Sequence, residues 1–127
     1  MAPKDFKYGT TGGFKRGMVE LLLLVLLSEG DKYGYQLSQE LTERSNGLFV
    51  LKETSMYPTL YRLLEKGVIS DREEVTGKRR IRVYYHLEET GKQYLELLKQ
   101  EYFAVTKGAM HVLGISSLEE MKQDEEL

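Results

Sequence analysis

Between Lys52 and Arg62 the chain concentrates side chains that can hydrogen-bond phosphates and base edges: Ser55, Thr59 and Arg62, with Tyr57 and Tyr61 beside them. Read at about 100° per residue, Met56, Leu60, Leu63 and Leu64 gather on one face of a short helix, and Ser55, Pro58, Thr59 and Arg62 fall opposite. An arginine on such a face can bridge guanine bidentately, and the hydroxyls can serve base edges or phosphates. The Tyr57 and Tyr61 hydroxyls can reach phosphate while their rings pack at the helix flanks. Lys52 stands just before the helix, where positive charge and free amides together favour a phosphate. Tyr35 and Gln36, near the start of the preceding helix, suit a clamp on the backbone that positions without reading sequence. A second basic group, Lys78, Arg79 and Arg80, follows in a turn and strand start. The plainer alternatives are a solvated helix face and cross-strand pairing of this basic group with Glu73 and Glu74.

These side chains need a scaffold, and the flanking pattern supplies one. Ser55 or Thr54 can cap the helix, Pro58 is tolerated in or near the first turn, and Gly67 stops it. Upstream, one helix is expected from Lys15 to Ser28 and a second from Tyr33 to Arg44, the latter with Leu37 and Leu41 inward and Ser45-Asn46-Gly47 ending it. Leu48-Phe49-Val50-Leu51 is expected to be a buried connection. Downstream the period changes to two. Val68–Glu74 and Arg80–Leu87 read as strands around Thr76-Gly77-Lys78, with Ile81, Val83, Tyr85 and Leu87 on one side of the second and Arg80, Arg82, Tyr84 and His86 on the other.

Three helices followed by a basic-tipped hairpin is the order of a winged helix-turn-helix, in which the third helix enters the major groove. The expected class is therefore mainly α with a small β-hairpin, followed by a long C-terminal dimerisation helix from Glu88 to Leu113. In that helix Leu95, Leu98, Tyr102, Val105, Ala109 and Val112 step by three and four residues, a seam spacing. The apolar band is broader than one contact needs. A homodimer interface through these residues and Leu22 is expected, against wholly intramolecular packing. A small apolar or aromatic effector between first and last helices, near Met18, Leu22, Leu95, Tyr102 and Val105, is set against a solid core.

Bulk properties narrow the class. The 127 residues fit one modest core, and 41% hydrophobic with 30% charged residues is a globular composition. Without cysteine there is no disulfide, thiolate metal site or cysteine nucleophile, and a cytoplasmic setting is the default. The run Leu21–Leu27 falls short of the ~20 residues that span a bilayer, so no membrane association is expected. The formal net charge of −2 would not by itself attract phosphate, but base and acid are segregated, with an acidic segment in residues 114–127 and the basic group at Lys78–Arg82. His86 and His111 lie in no motif and no metal spacing appears, so no cofactor and no enzymatic activity are expected. Residues 1–14, rich in glycine and threonine, read as an arm; they fail as a phosphate loop because Arg16 follows Lys15 where Ser or Thr is required.

Taken together, Glu20-Leu21-Leu22-Leu23-Leu24 with Gly30, Tyr33-Gly34-Tyr35-Gln36-Leu37, Ser55 through Gly67, and Tyr84-Tyr85-His86-Leu87 with Gly91 resemble the successive motifs of the PadR family, regulators similar to the phenolic acid decarboxylase repressor. The resemblance covers about Lys15 to Val112 and is closer to the family's short branch, with its single C-terminal helix. It implies a homodimeric transcription factor, usually a repressor, that binds an imperfect palindrome in double-stranded DNA and in some members is released by small aromatic or cationic compounds. It also implies that Tyr102, counted from Gly91, stands where some relatives carry an aromatic lining a channel between subunits. The chain departs from the family in Glu88, where Thr or Ser commonly begins the last helix, and in a longer, more basic wing tip. A winged-helix module that acts only through protein partners is the alternative reading.

Overall fold

The computed structural model describes residues 16–117; the expected N-terminal arm and most of the acidic segment lie outside the described residues. In chain order the elements are α1 (Arg16–Ser28), β1 (Lys32–Tyr33), α2 (Gly34–Arg44), α3 (Glu53–Glu65), β2 (Ile69–Thr76), β3 (Arg80–Leu87) and α4 (Glu89–Leu113). The sheet is antiparallel, with β3 between β1 and β2. β1 is the element missing from the sequence reading, because two residues carry no alternation to detect. It takes Lys32 and Tyr33, the latter expected to open α2, and pairs them with Tyr85 and Tyr84.

The core joins the three leading helices to the base of the sheet. Leu23 and Leu24 of α1, Leu37 of α2, and Met56, Leu60 and Leu63 of α3 are fully buried, with Ile69, Tyr85 and Leu87 closing the layer from the sheet. Each such aliphatic side chain contributes roughly 1.5–3 kcal/mol relative to exposure, so this shared layer, more than the weak propensity of α2, holds the helices in place. Gly67 ends α3 at φ +73°. The amides of Gly67 and Val68 return to the carbonyls of Leu64 and Leu63 at 3.0 and 3.2 Å, satisfying the last-turn acceptors. Asn46, at φ 55°, ends α2 in the same way.

Local expectations needed correction. α3 starts two residues before Ser55: Lys52 is its N-cap, with no side-chain cap hydrogen bond, and Glu53 places a carboxylate at the positive end of the helix. Pro58 therefore lies in the second turn, inside the helix rather than at its entrance. The Leu48–Leu51 connection is not buried: Leu48 and Val50 are exposed. Its backbone is satisfied by serines instead, the Phe49 amide donating to Ser45 Oγ at 2.9 Å and Ser38 Oγ donating to the Leu51 carbonyl at 2.5 Å, which lets the segment run on the surface.

The chain divides into two compact units, one ending at Leu95 and one beginning at Glu96, and the division falls inside α4. Leu95, expected at an interface between copies, is buried within its own chain, one turn beyond the buried Gly91. In the second unit Leu97, Phe103, Val105, Val112 and Leu113 are exposed. The rings of Tyr102 and Phe103 there lie 5.6 Å apart. Among the described residues, no helix is long and apolar enough to cross a membrane.

Candidate nucleic-acid interface

The start of α2, the outer side of α3 and the distal hairpin enclose a cleft of about 730 Å³. Tyr33, Gly34 and Tyr35 form one wall, Glu53, Tyr57 and Tyr61 the second, and Asp71, Tyr85 and the run Arg80–Val83 the third. Gly34 leaves room for the Glu53 side chain: a Cβ there would stand 2.6 Å from Glu53 Oε1. The structure thus brings Tyr35, Tyr57, Tyr61 and Arg80 together from segments far apart in sequence. Ser55 and Arg62 on α3, and Lys52 at its N-cap, are exposed outside that lining, Gln36 lies on α2, and Lys78 and Arg79 occupy the hairpin loop.

Thr59 departs from the expected outer face. It is only 8% exposed, and its Oγ1 accepts a hydrogen bond from Arg62 Nη2 at 3.2 Å. The cause is its place on the wheel beside Leu60 and Leu63, where the core boundary reaches farther round α3 than the aliphatic residues alone imply. Thr59 therefore orients Arg62 rather than standing beside it. Tyr57 and Tyr61 stack with centroids 6.1 Å apart. Burial, then the Glu53 carboxylate, pushes the Tyr57 phenol above its ordinary value, and burial together with Tyr57 pushes Tyr85 up to about 12. Both hydroxyls remain hydrogen-bond donors at neutral pH. Gln36 donates to Glu40 at 2.9 Å and Gln39 to the Tyr35 hydroxyl at 3.0 Å, fixing the first turn of α2.

The hairpin closes through Gly77, Lys78 and Arg79, with Thr76 opposite Arg80. Gly77 at φ +62° and Arg79 at φ +68° both take left-handed backbone, and the loop projects three consecutive cationic residues. Lys78, Arg79 and Arg80 are exposed and carry no ion pair among the described residues. The expected alternative, pairing with Glu73 and Glu74, is not what the strands do: Glu73 stands opposite Val83 and Glu74 opposite Arg82, and Glu74 accepts from Arg72 at 2.9 Å. The distal apolar pair Val75 and Ile81 is also exposed, at 75% and 62%.

A helix face with Ser55 and Arg62, a basic hairpin tip beside it and a tyrosine-lined cleft between them is an arrangement suited to a polyanion. The sequence matches the PadR-like family of transcriptional regulators over residues 23–97. This chain belongs to that family. Among curated relatives it is similar to an uncharacterised protein of Lysinibacillus sphaericus, 37% identical over 90 residues that cover 71% of this chain and 83% of the relative. Among solved structures it is similar to a transcriptional regulator from Clostridium thermocellum, with TM-score 0.67, 33% identity, and coverage of 77% of this chain and 94% of the other. It is also similar to Bacillus subtilis PadR, solved in complex with operator DNA, at TM-score 0.58 and 28% identity, covering 62% of this chain and 45% of that one.

Membership places the chain among transcriptional regulators rather than enzymes, and the fold is the family's winged helix. The hairpin of β2 and β3 is the wing. Five polar residues of the cleft were not among the contact residues read from the sequence of this PadR-like chain: Tyr33, Glu53, Asp71, Arg82 and Tyr85. Arg82 shared the alternation of Arg80 and could have been found from it, and its guanidinium lies 4.4 Å from the Tyr33 ring centroid. Glu53 and Asp71 gave no signal, since only the fold brings them to one cleft.

Proposed function

We propose that the chain binds double-stranded DNA as a homodimer and represses transcription from a palindromic operator, with α3 in the major groove and the wing on the neighbouring backbone. The observation that carries this reading is the wing tip itself, where Lys78, Arg79 and Arg80 stand exposed and without an ion pair among the described residues, alongside the exposed Ser55 and Arg62 of α3. Unpaired cations are available to displace counterions from phosphate, the main source of DNA affinity. Lys52, Ser55, Tyr57, Tyr61 and Arg62, with Tyr35 and Gln36 at the start of α2, make up the rest of the contact surface, and Thr59 serves through Arg62. The dimer reading is supported by the exposed apolar side chains of the second unit, Leu97, Phe103, Val105 and Val112, and a twofold pair of α3 helices matches half-sites about 34 Å apart.

The test is to recover genomic fragments that the chain retains, then to titrate a fluorescent duplex carrying such a site at two salt concentrations. Binding should weaken steeply with salt, with a slope of roughly −0.9 per phosphate contacted. Negligible binding to every fragment at either salt concentration would leave the winged helix as a protein–protein module. Release by a small aromatic or apolar effector belongs to the same reading; compounds that raise the melting temperature should also weaken operator binding.

A further inference from the structure

The face of the sheet turned away from the core carries a cross-strand network that meets the cleft only through Tyr33. Tyr33, Tyr84 and Arg72 stand in one row across β1, β3 and β2. The Tyr33 and Tyr84 rings meet edge-on at 5.4 Å, and the Arg72 guanidinium lies 5.3 Å from the Tyr84 centroid. The row is closed by Asp31, in the connection between α1 and β1. Arg72 Nη1 donates to Asp31 Oδ2 at 2.5 Å, and His86 Nδ1 lies 2.7 Å from Asp31 Oδ1. One carboxylate therefore holds β2 through Arg72 and β3 through His86, with each oxygen given to a different strand.

We propose that Asp31 is a positioning residue for the wing: it braces both strands of the hairpin against the corner that leads into α2, so that the wing tip and α3 meet the same DNA backbone at a set spacing. This rests on the DNA-binding reading above. Beyond the brace the hairpin has little to hold it, since Val75, Ile81 and the loop residues Gly77, Lys78 and Arg79 are exposed, and an isolated two-stranded ribbon is marginal in water. The loop lies five residues beyond Arg72, about 17 Å along an extended strand. A tilt of about 10° at the brace moves the tip by about 3 Å on that length, enough to break a phosphate hydrogen bond. The hydrogen bond from His86, followed by that from Arg72, holds the Asp31 carboxyl below its ordinary range, so the brace is ionised at neutral pH.

Asp31→Asn gives a test whose sign is decisive. Removing a negative charge would, through the overall field alone, tighten binding to DNA. Loss of the brace should weaken it instead, by about fivefold, within the range known for residues that act through a second element. The salt slope should become shallower as wing contacts drop out, the helical circular dichroism should be unchanged, and hydrogen exchange should quicken in β2 and β3 but not in α3. In the double variant with Arg79→Ala the two losses should not add, because both act through the wing, and Asp31→Glu should restore part of the affinity. Unchanged or tighter binding by Asp31→Asn, or full additivity with Arg79→Ala, overturns the proposal while leaving the DNA-binding reading intact. Failure of the wild-type chain to bind any duplex overturns both.

Discussion

Gly91 lies directly against the backbone of Val68: a Cβ on Gly91 would stand 2.1 Å from the Val68 carbonyl oxygen and 2.5 Å from Leu87 Cδ1. That carbonyl also accepts the Glu88 amide at 3.0 Å, so it cannot move aside without releasing the entry into α4. Gly91→Ala should cost about 3 kcal/mol or more, the upper range for overpacking against rigid backbone. Denaturant midpoints would show it, and an unshifted midpoint would mean that α4 docks otherwise.

Glu20, Lys66 and Tyr94 join α1, the end of α3 and the first turns of α4. The Tyr94 hydroxyl donates to Glu20 Oε1, and Lys66 Nζ donates to Glu20 at 3.1 Å and to the Tyr94 oxygen at 2.8 Å. Burial alone would raise the Glu20 carboxyl, but the hydrogen bonds from Tyr94 and Lys66 outweigh it and hold the group below its ordinary value. A depressed folded-state value means stability that is present above the unfolded carboxylate range, near roughly 4.3, and lost as pH falls through the lower folded value. Glu20→Gln should cost about 1 kcal/mol at neutral pH and flatten the acid limb of a stability-against-pH curve. An acid limb identical to wild type would remove Glu20 from the cluster's energetics.

Arg79 combines a cationic side chain with left-handed backbone at φ +68°, which costs a non-glycine residue about 1–2 kcal/mol. Arg79→Gly and Arg79→Ala both remove the charge, but only glycine relieves the backbone. The two variants should therefore lose DNA affinity equally, while the glycine variant is more stable than the alanine variant by up to about 1 kcal/mol and melts at a higher temperature. Equal melting temperatures would argue against the loop geometry.

Base reading and phosphate contact should separate by variant. Arg62→Ala should relax preference at particular positions of the operator, by roughly 1–3 kcal/mol for a bidentate contact. Arg79→Ala with Arg80→Ala should weaken all sequences alike and reduce the salt slope by about 0.9 for each lost phosphate. A panel of single-base operator variants titrated against each protein distinguishes them; an Arg62→Ala that weakens every site uniformly would assign Arg62 to phosphate.

The exposed apolar side chains of the second unit make the proposed dimer testable without DNA. Phe103→Glu with Val105→Glu should turn a sedimenting dimer into a monomer, because buried unpaired carboxylates oppose association, while far-ultraviolet circular dichroism of the variant stays helical. A dimer that survives both charges is held together elsewhere.

Much of this protein was already legible in the order of its residues. The 3.6-residue period placed Met56, Leu60 and Leu63 inward, the strict alternation of β3 separated Tyr85 and Leu87 from Arg80 and Arg82, and the glycine at 67 ended α3 where its left-handed backbone required it. Those features are local, since a helix face or strand face is set by spacing along a few turns. Tertiary structure decided what spacing leaves open. It buried Thr59 beneath Arg62 and Leu95 within its own chain, because the edge of a packed face depends on neighbours brought from distant segments. It exposed Leu48 and Val50 because serines met the backbone's hydrogen-bonding demand there. And it recruited Lys32 and Tyr33 as a third strand and gave Asp31 two partners, Arg72 at 41 positions away and His86 at 55, which no periodicity of the chain encodes.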